Sequence, residues 1–440
     1  MHILGLDVGT SSVKAAVLDV GSGDPVGEVT RVAYALDQPT PETATIPPER
    51  LWDAVLQAAC RAVGGQQRQV RGVGFSFFTP ALILLDGRDQ PLTPIITHLD
   101  HRARGEARRI EAECGAEFLA TTGNRPLPGG ISAVSYCYLV RQQPELPRLV
   151  RRYLHVDSWI GLRFTGEAAF DFGNACFTGV YNTMGPRGWS ARWCRYFGIQ
   201  PEWLPEARSG DSTLGGLRAE VAEQLGLPSG IPVKVGTADT SSAMLAARLE
   251  VGELLHVVGT TQVLAVRTLQ PRPAADHLTR LLGVGDGFVH ITHNPVGGVA
   301  LDWMHRLCFH DQSPQEFYAN TIPQALEHDT EVELEPPYLG GDRLQIEERR
   351  AAFRDLTIAH ERLDLLAAVL KAMRVHHAEG VAVLTQGKPL RRIVLTGGGA
   401  DIAQQVISDY HTRPIERIDE ASLRGVVRLF SNAPDAPRQP

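Results

Sequence analysis

The sequence predicts an α/β protein of two or more domains, the first of which holds a mixed β-sheet. The chain has 440 residues, which is more than one ordinary hydrophobic core organises. Its first 90 residues show the pattern of three strands, one helix and two further strands. A hairpin pattern near the N-terminus occurs again about 250 residues later. Alternation of strands and helices is typical of layered α/β folds.

The first elements follow from apolar runs and turn residues. Residues 2–7 and 13–20 predict two strands joined by a turn at Gly9-Thr10, and residues 27–36 predict a third. A helix is expected to begin at Pro47-Pro48, because proline fits the first helical turn. Residues 70–76 and 82–86 predict strands. The apolar stripe of the helix has helical spacing and consists of Leu51, Trp52, Val55, Leu56, Ala59 and Val63.

The rest of the chain reads as a helix-rich middle followed by a second α/β unit. Residues 100–230 are rich in helix and loop, and a strand at 233–236 leads to Asp239, which opens a helix of small residues. Strands 254–258 and 262–267 then flank a second Gly-Thr turn. The remaining predictions are a strand at 288–292, helices at 299–308 and 360–384, a strand at 392–395, and a frayed tail at 431–440.

Composition excludes several classes of function. The formal net charge is -7, which is unlike the basic surface of a nucleic-acid-binding protein. The six cysteines have no metal-ligand spacing, as expected for a reduced, cytoplasmic protein. Residues 1–10 include an acidic residue and predict no secretory signal, and no run of 18 apolar residues predicts a membrane span.

The two Gly-Thr turns are candidate phosphate sites. A glycine turn between strands lets backbone N–H groups converge on one point and lets a ligand come close. Hydroxyl groups and one lysine follow these glycines, and Asp7 ends the first strand, where a carboxylate can hold Mg²⁺. Each hairpin alone is also compatible with a plain turn, and the lysine with an ordinary strand residue. The candidate phosphate ligands are Gly9, Thr10, Ser11, Ser12, Lys14, Gly259, Thr260 and Thr261.

Two further features have a functional and a structural interpretation. Gly397, Gly398 and Gly399 follow an apolar strand and could let a nucleotide base lie on bare backbone, or form a flexible turn. Asp239 could be a general base, or the N-cap of the helix that follows it. The two roles of Asp239 are compatible if its side chain faces a cleft.

These stretches together resemble the FGGY carbohydrate kinases, the family of glycerol kinase and xylulokinase. The likeness extends from residue 3 to about residue 429, and the order and spacing of its motifs make it specific. The matching segments are 4–14 (LGLDVGTSSVK), 73–76 (VGFS), 84–86 (LLD), 100–102 (DHR), 164–166 (FTG), 226–233 (GLPSGIPV), 236–239 (GTAD), 256–261 (HVVGTT), 336–343 (PPYLGGDR), 395–399 (LTGGG) and 420–425 (EASLRG).

The resemblance implies a two-domain actin-like ATPase fold of the ribonuclease H-like type, with a catalytic cleft between domains. It implies an N-terminal domain at residues 1–245 and a C-terminal domain at 246–430, with 431–440 as a tail. By the same resemblance Asp239 is the general base, Asp7 acts with Mg²⁺, the two turns contact the phosphates of ATP, and Gly397 to Gly399 line the adenine end.

The sequence departs from the family where the sugar is normally bound. Residues 77–81 read FFTPA in place of the GQMHG of xylulokinase-like members, and His98 stands where tryptophan is usual. Position alone therefore makes Thr79, His98 and Asp100 the candidate substrate contacts beside Asp239, each with a structural role as the alternative. The segment at 426–430 also departs from the small residues that are usual there, which leaves recognition of adenine open.

The expected function is ATP-dependent phosphorylation of a hydroxyl on a small sugar, ketose or polyol. Two alternatives keep the fold: an actin- or chaperone-like ATPase, and a sugar sensor without catalysis. Expected partners are a small-molecule sugar or polyol, with no nucleic acid and no membrane, and a homodimer stays an open alternative to a monomer.

Overall fold

Two β-sheets organise the molecule, one in each half of the chain. The computed structural model describes residues 1–65, 69–259, 262–339, 343–407 and 414–431. The predicted tail at 431–440 lies outside the described residues except for Ser431. The described helices include none that is both long enough and apolar enough to cross a membrane.

The first half contributes thirteen described strands. In chain order they are β1 (His2–Val8), β2 (Ser12–Asp19), β3 (Thr30–Ala33), β4 (Thr45–Ile46), β5 (Val70–Phe77), β6 (Ala81–Leu85), β7 (Ile95–Thr97), β8 (Arg152–His155), β9 (Phe170–Asp171), β10 (Ala207–Arg208), β11 (Thr213–Gly216), β12 (Pro232–Lys234) and β13 (Thr237–Ala238). The main sheet has the order β11-β12-β5-β1-β2-β3, and β13 also pairs with β5. A smaller sheet has the order β4-β7-β6-β8.

Helices cover both of these sheets. They are α1 (Pro48–Val63), α2 (Arg104–Thr122), α3 (Ser132–Gln142), α4 (Leu146–Leu149), α5 (Val156–Thr165), α6 (Phe172–Cys176), α7 (Ala191–Phe197), α8 (Ala219–Leu225) and α9 (Asp239–Ala246). Helix α1 begins at Pro48 as predicted, and its apolar stripe is buried against the main sheet. The helix-rich middle packs around the smaller sheet in a core that includes Phe118, Tyr153 and Trp193.

The second half forms a sheet of the same kind. Its strands are β14 (Glu253–Val258), β15 (Gln262–Thr268), β16 (Leu278–Leu281), β17 (Phe288–Asn294), β18 (Glu333–Leu334), β19 (Phe353–Arg354), β20 (Arg392–Thr396) and β21 (Ile415–Arg417). The main sheet has the order β16-β17-β15-β14-β20-β21. Its helices are α10 (Gly298–Cys308), α11 (Pro314–Glu316), α12 (Ile322–Glu327), α13 (Arg362–Thr385), α14 (Ala400–Ile407) and α15 (Ala421–Gly425).

The two sheets repeat one arrangement. In the first, β1 pairs antiparallel with β2 and parallel with β5. In the second, β14 pairs antiparallel with β15 and parallel with β20. The two predicted hairpins are therefore present and occupy equivalent places, so the turn that follows each first strand lies at the carboxyl end of a parallel pair.

The end of the chain returns to the first half. Helix α15 and the 3₁₀ turn Val426–Phe430 pack on the first sheet, where Leu423 and Val426 join the core of Ile3 and Leu18. The helix also crosses α9 so closely that a Cβ atom on Gly425 would lie 1.8 Å from the carbonyl oxygen of Ser242. Ala421 of α15 also shares a core with Leu255 and Val394 of the second sheet, so residues 421–430 couple the two sheets.

This crossing predicts a destabilised variant. Gly425→Ala forces α9 and α15 apart, since the obstructing atom belongs to the backbone, and we expect a loss of about 3 kcal/mol of stability, seen as a lower thermal unfolding midpoint. Gly185→Ala is the matched control, because its Cβ would meet nothing within 4 Å. Equal midpoints for the two variants would contradict the close packing at Gly425.

Candidate active site

Strand register brings two carboxylates to one edge of the first sheet. Strands β1, β5 and β13 run parallel, with Asp7 opposite Ser76 and Ser76 opposite Thr237. Asp239 follows two residues after Thr237 as the first residue of α9. Neighbouring strands lie about 4.8 Å apart, so Asp7 and Thr237 are about 10 Å apart across two strand spacings. The sequence predicted both carboxylates as functional, and the sheet places them at the same end.

Asp7 is a buried carboxylate with few compensating contacts. The hydroxyl of Ser76 donates a hydrogen bond of 2.8 Å to Oδ1 of Asp7. Burial raises the pKa of Asp7 from 3.8 to about 6, and the nearby charges of Asp239 and Glu420 add to this rise. The Ser76 hydrogen bond and the positive charge of Lys14 oppose it. The site therefore favours a cation beside Asp7.

Asp239 is half-buried at the first residue of α9. Its Oδ1 accepts hydrogen bonds from the backbone N–H (2.6 Å) and the hydroxyl (3.1 Å) of Thr240. Removal of water raises the pKa of Asp239, while the hydrogen bonds from Thr240 and the charges of Arg280 and Arg343 lower it. Ala238 occupies the N-cap position and gives no side-chain cap. Asp239 is thus not the N-cap that local sequence favoured.

A second set of buried groups binds the residues on either side of Asp239 in the chain. Oδ1 of Asp171 accepts a hydrogen bond from the hydroxyl of Thr237, two residues before Asp239 (3.3 Å). Arg280, on β16 of the second sheet, donates to the hydroxyl of Ser241 on α9 (2.5 Å). Burial lowers the pKa of Arg280, and the charges of Asp171 and Asp239 counter this. Both sheets therefore hold the start of α9.

The first Gly-Thr turn has part of the predicted arrangement. The backbone N–H of Gly9 donates to the carbonyl of Ser12 (3.0 Å), and the hydroxyl of Tyr34 donates to the carbonyl of Gly9. The hydroxyl of Ser12 accepts a hydrogen bond from Nε of Arg31 (3.1 Å), whereas Ser11 is exposed and Thr10 is half-buried.

Lys14 lies directly opposite Asp7 in the β1–β2 register. Its ammonium group forms an ion pair with Glu420, which precedes α15 and has a left-handed backbone with φ of 52°. Lys14 thus links the first sheet to the returning end of the chain at the predicted phosphate site, and Glu420 is a contact that sequence reasoning missed.

A cavity of about 840 Å³ joins the predicted nucleotide residues of the two halves. Its lining includes Lys14 from the first sheet and Gly259 from the end of β14. Gly397, Gly398 and Gly399 line it after β20. Thr260 and Thr261, predicted from the second turn, lie outside the described residues. Among described residues, Lys14, Gly259 and the three glycines after β20 thus border one space that is large enough for a nucleotide. The predicted phosphate ligands Gly9, Thr10, Ser11 and Ser12 are not among its lining residues.

The three glycines after β20 have separate roles. Gly397 has φ of 100°, and a Cβ there would lie 2.3 Å from the carbonyl oxygen of Val258. A Cβ on Gly399 would lie 2.8 Å from Cγ1 of Val258, whereas one on Gly398 would meet nothing within 4 Å. Two of the glycines therefore let the turn pack on β14, and Gly398 leaves bare backbone at the cavity.

Of the predicted substrate residues, Asp100 forms hydrogen bonds within the protein, whereas Thr79 and His98 each have a buried polar atom without such a bond. Asp100 is buried, and Oδ2 of its carboxylate accepts hydrogen bonds from the backbone N–H of Ala44 (3.0 Å) and Nε of Arg102 (2.9 Å). Asp100 therefore has a structural role in ordering the loop that contains it. Oγ1 of Thr79 and Nδ1 of His98 are buried without a hydrogen-bond partner among the described residues. These two side chains are free to receive a ligand.

Sequence reasoning missed three groups that lie near predicted site residues. Arg343 comes from the 336–343 segment and lies near Asp239, and His293 comes from β17. A Cβ on Gly129, where φ is 73°, would lie 2.5 Å from the carbonyl oxygen of His98. Arg343 ended a motif that the sequence already marked. Gly129 and His293 carried no local signal, because only the fold brings them to His98 and Arg343.

The residues present suit Mg²⁺ bound through few protein ligands. Among the described residues no cluster of three or more acidic, histidine or cysteine side chains could hold a metal. Mg²⁺ commonly takes one or two carboxylates together with waters and phosphate oxygens. Asp7, buried beside Asp239 and short of hydrogen-bond donors, offers such a ligand.

The burial of Asp7 predicts that this carboxylate lowers the stability of the ligand-free protein although activity requires it. Above pH 6 the folded protein must hold an ionised Asp7, and a pKa rise from 3.8 to about 6 corresponds to about 3 kcal/mol. Asp7→Asn should therefore raise the thermal unfolding midpoint of the ligand-free protein at pH 8 but not at pH 4, and abolish activity. The exposed Asp53→Asn is the control. A lower midpoint for Asp7→Asn at pH 8 would contradict the role of burial.

Two family models and several curated proteins match this chain. The N-terminal domain model of the FGGY family of carbohydrate kinases matches residues 2–246, and the C-terminal domain model matches residues 254–431. Gluconokinase of Bacillus subtilis (strain 168) is 27% identical, over 93% of this chain and 82% of the relative. Xylulose kinase of Escherichia coli (strain K12) is also 27% identical, over 92% and 84%.

A solved structure shows the same fold. The ligand-bound xylulose kinase from Lactobacillus acidophilus superposes with a TM-score of 0.88 at 22% identity, over 97% of this chain and 88% of that one. At this identity the likeness shows the fold alone, which is the two-domain actin-like fold that the sequence predicted. Because the two family models together cover nearly all of the sequence, the chain belongs to the FGGY family of carbohydrate kinases.

Proposed function

We propose that this carbohydrate kinase transfers the terminal phosphoryl group of ATP, bound with Mg²⁺, to a hydroxyl of a small sugar, ketose or polyol. Asp239 is the general base, and Asp7 is the carboxylate that holds the metal. One observation carries the proposal: Asp7 and Asp239 lie at the carboxyl ends of the parallel strands β1 and β13, and Lys14 of the same half borders one cavity with Gly259 and Gly397 to Gly399 of the other half.

Asp239 has the surroundings that a general base needs. Phosphoryl transfer relies on positioning and charge stabilisation more than on covalent chemistry. Thr240 fixes the orientation of the Asp239 carboxylate, and Arg280 and Arg343 hold its pKa below the value that burial alone would give. An ionised Asp239 carboxylate in this position can take the proton of an attacking hydroxyl.

Lys14 and the glycine turns would receive the phosphates. Lys14 borders the nucleotide cavity and is the cation opposite Asp7, so phosphate oxygens would compete with Glu420 for its ammonium group. The bare backbone at Gly398 suits the flat adenosine end. Mg²⁺, when bound, neutralises charge on the phosphates.

The remaining assignments are part of the same proposal. The two lobes are residues 1–245 and 246–430, and the cleft between them closes around the sugar so that water does not attack ATP. Phosphates bind to the first turn, Gly9 to Ser12, and to the second turn at 259–261. The sugar contacts Thr79 and His98. The protein acts in the cytoplasm, as a monomer or a homodimer.

Replacement of Asp239 directly tests its role as the general base. Asp239→Asn keeps the shape of the side chain but cannot accept the proton, so we expect kcat to fall by about 10²–10⁴-fold. ATP binding, measured by calorimetry, should stay within about twofold of the parent value, because Asp239 is placed at the acceptor side of the site. Asp53→Asn again serves as the control. Normal turnover by Asp239→Asn would remove Asp239 from this role.

The carboxylate pKa values predict loss of activity in mild acid. Burial raises the pKa of Asp7 to about 6, so Asp7 gains a proton as the pH falls below 6, and burial also raises the pKa of Asp239, which therefore gains its proton at a higher pH than an exposed aspartate. A protonated Asp7 cannot hold a cation and a protonated Asp239 cannot act as a base. We expect kcat/KM to fall about tenfold or more per pH unit below pH 6, since this ratio reports the free enzyme. A flat profile from pH 8 to 5 would oppose both assignments.

A further inference from the structure

Strand β16 is the place where the second half of the chain enters the first. It is an edge strand of the second sheet and ends at Leu281. The side-chain amide of Asn124, from the first half, donates to the carbonyl of Thr279 (2.8 Å) and accepts from its N–H (3.0 Å). Asn124 and Thr279 are fully buried. The strand is therefore bound to the first half through its own backbone.

The side chain of Arg280 extends from this strand towards α9. It is 1% exposed, and its Nη1 donates to the hydroxyl of Ser241 on α9 (2.5 Å) and to the carbonyl of Leu281 (3.1 Å). Its Nε and Nη2 are buried without a hydrogen-bond partner among the described residues. A buried guanidinium is costly unless an opposite charge compensates it. The burial of Arg280 therefore requires a carboxylate close by.

Asp171 of the first half supplies that carboxylate. A Cβ atom on Gly173 would lie 3.0 Å from Nη1 of Arg280 and 3.0 Å from Oδ1 of Asp171, so both atoms border one point. The Asp171 side chain is fully buried. Its Oδ1 accepts hydrogen bonds from the N–H of Gly173 (2.8 Å) and the hydroxyl of Thr237 (3.3 Å). The two opposite charges therefore lie near each other in an interior without solvent.

These two charged side chains bind residues on both sides of Asp239. Thr237, bound by Asp171, opens β13 two residues before Asp239, and Ser241, bound by Arg280, follows two residues after it. Thr237 and Ser241 are fully buried. Because the chain is held at both points, the charged pair sets the direction of the Asp239 side chain. Displacement of a reacting group by roughly 1 Å can cost about 10²-fold in rate.

The turn after β16 completes these contacts. Gly283 has φ of 96°, and a Cβ there would lie 2.4 Å from Oγ1 of Thr237 and 2.6 Å from Oδ1 of Asp171. The carbonyl of Gly283 accepts a hydrogen bond from the N–H of Gly210 in the first half (2.9 Å). Residues 279–283 of the second half therefore pack directly against the chain that carries Asp239.

We propose that Arg280 is a positioning residue of the reaction: through Ser241, and with Asp171 as its counter-ion, it holds the Asp239 carboxylate towards the attacking hydroxyl. This inference rests on the proposed function and adds a residue to it. Arg280 is too deeply buried to contact a substrate, so it acts only through Asp239. The half of the molecule that carries the glycines of the nucleotide cavity thereby also orients the base on the other half.

A kinetic double-mutant cycle tests the proposal. The acceptor is the compound that gives the fastest ADP release in a screen of sugars, sugar acids and polyols with Mg²⁺ and ATP. Arg280→Met should lower kcat about 10²-fold and change KM for ATP less than about twofold. In an Asp239→Asn background the same substitution should lower kcat less than about threefold, because residues that act as a unit are not additive. A purely structural role would give the same loss in both backgrounds.

Further variants keep the test decisive if Arg280→Met does not fold. Ser241→Ala removes one hydroxyl and leaves the charges in place, so we expect kcat to fall about tenfold, and hardly at all in the Asp239→Asn background. Arg280→Lys should recover part of the loss, because an ammonium group can still bind Ser241. Arg272→Met is the matched control, since Arg272 is a half-buried arginine whose Nη2 binds the carbonyl of Val383 within the second half. Thermal midpoints check that each variant is folded.

The outcomes separate the two levels of proposal. Equal losses of kcat in the parent and Asp239→Asn backgrounds overturn the positioning role of Arg280 and leave the kinase function standing. Full turnover by Arg280→Met or by Ser241→Ala does the same. Failure of the parent enzyme to release ADP with every sugar, acid and polyol would instead count against the proposed kinase function, and the role of Arg280 would fall with it.

Discussion

The parallel pairing of β1, β5 and β13 is the constraint on which the site depends. Parallel strands end at the same edge, so Asp7 and the start of α9 come together without any long-range contact between their side chains. Each of these strands is buried, and the same burial that stabilises the sheet removes water from the two carboxylates. The folding of the sheet and the altered acidity of the site thus have one cause.

The second sheet supplies cavity-lining glycines and a positive charge that the first sheet lacks. It repeats the hairpin and the parallel neighbour, and so brings Gly259 and the 397–399 turn to the cavity that Lys14 borders. It also sends Arg280 across to the helix that begins at Asp239. Positive charge from one half therefore offsets negative charge from the other. A site built this way is complete only when the two halves are in contact.

Much of this was predictable because it is local. The strands that open each half, α1, α9 and both hairpins follow from periodicity, proline and glycine, and the family resemblance marked Asp7 and Asp239 as candidate site residues. The sequence left a structural role for Asp100 open beside substrate contact, and it could not show that the Asp100 carboxylate also binds the backbone of Ala44, since that depends on how the loop folds. Nor could it bring His293 beside Arg343, because 49 intervening positions separate them in the chain and only packing unites them.

The returning end of the chain has a consequence for biosynthesis. Ile3 and Leu18 are covered by Leu423 and Val426, which are translated about four hundred residues later. During translation the apolar face of the first sheet therefore stays uncovered until about four hundred further residues have been synthesised. Nascent chains would be exposed to self-association throughout that interval, and holdase chaperones would have a defined patch to shield.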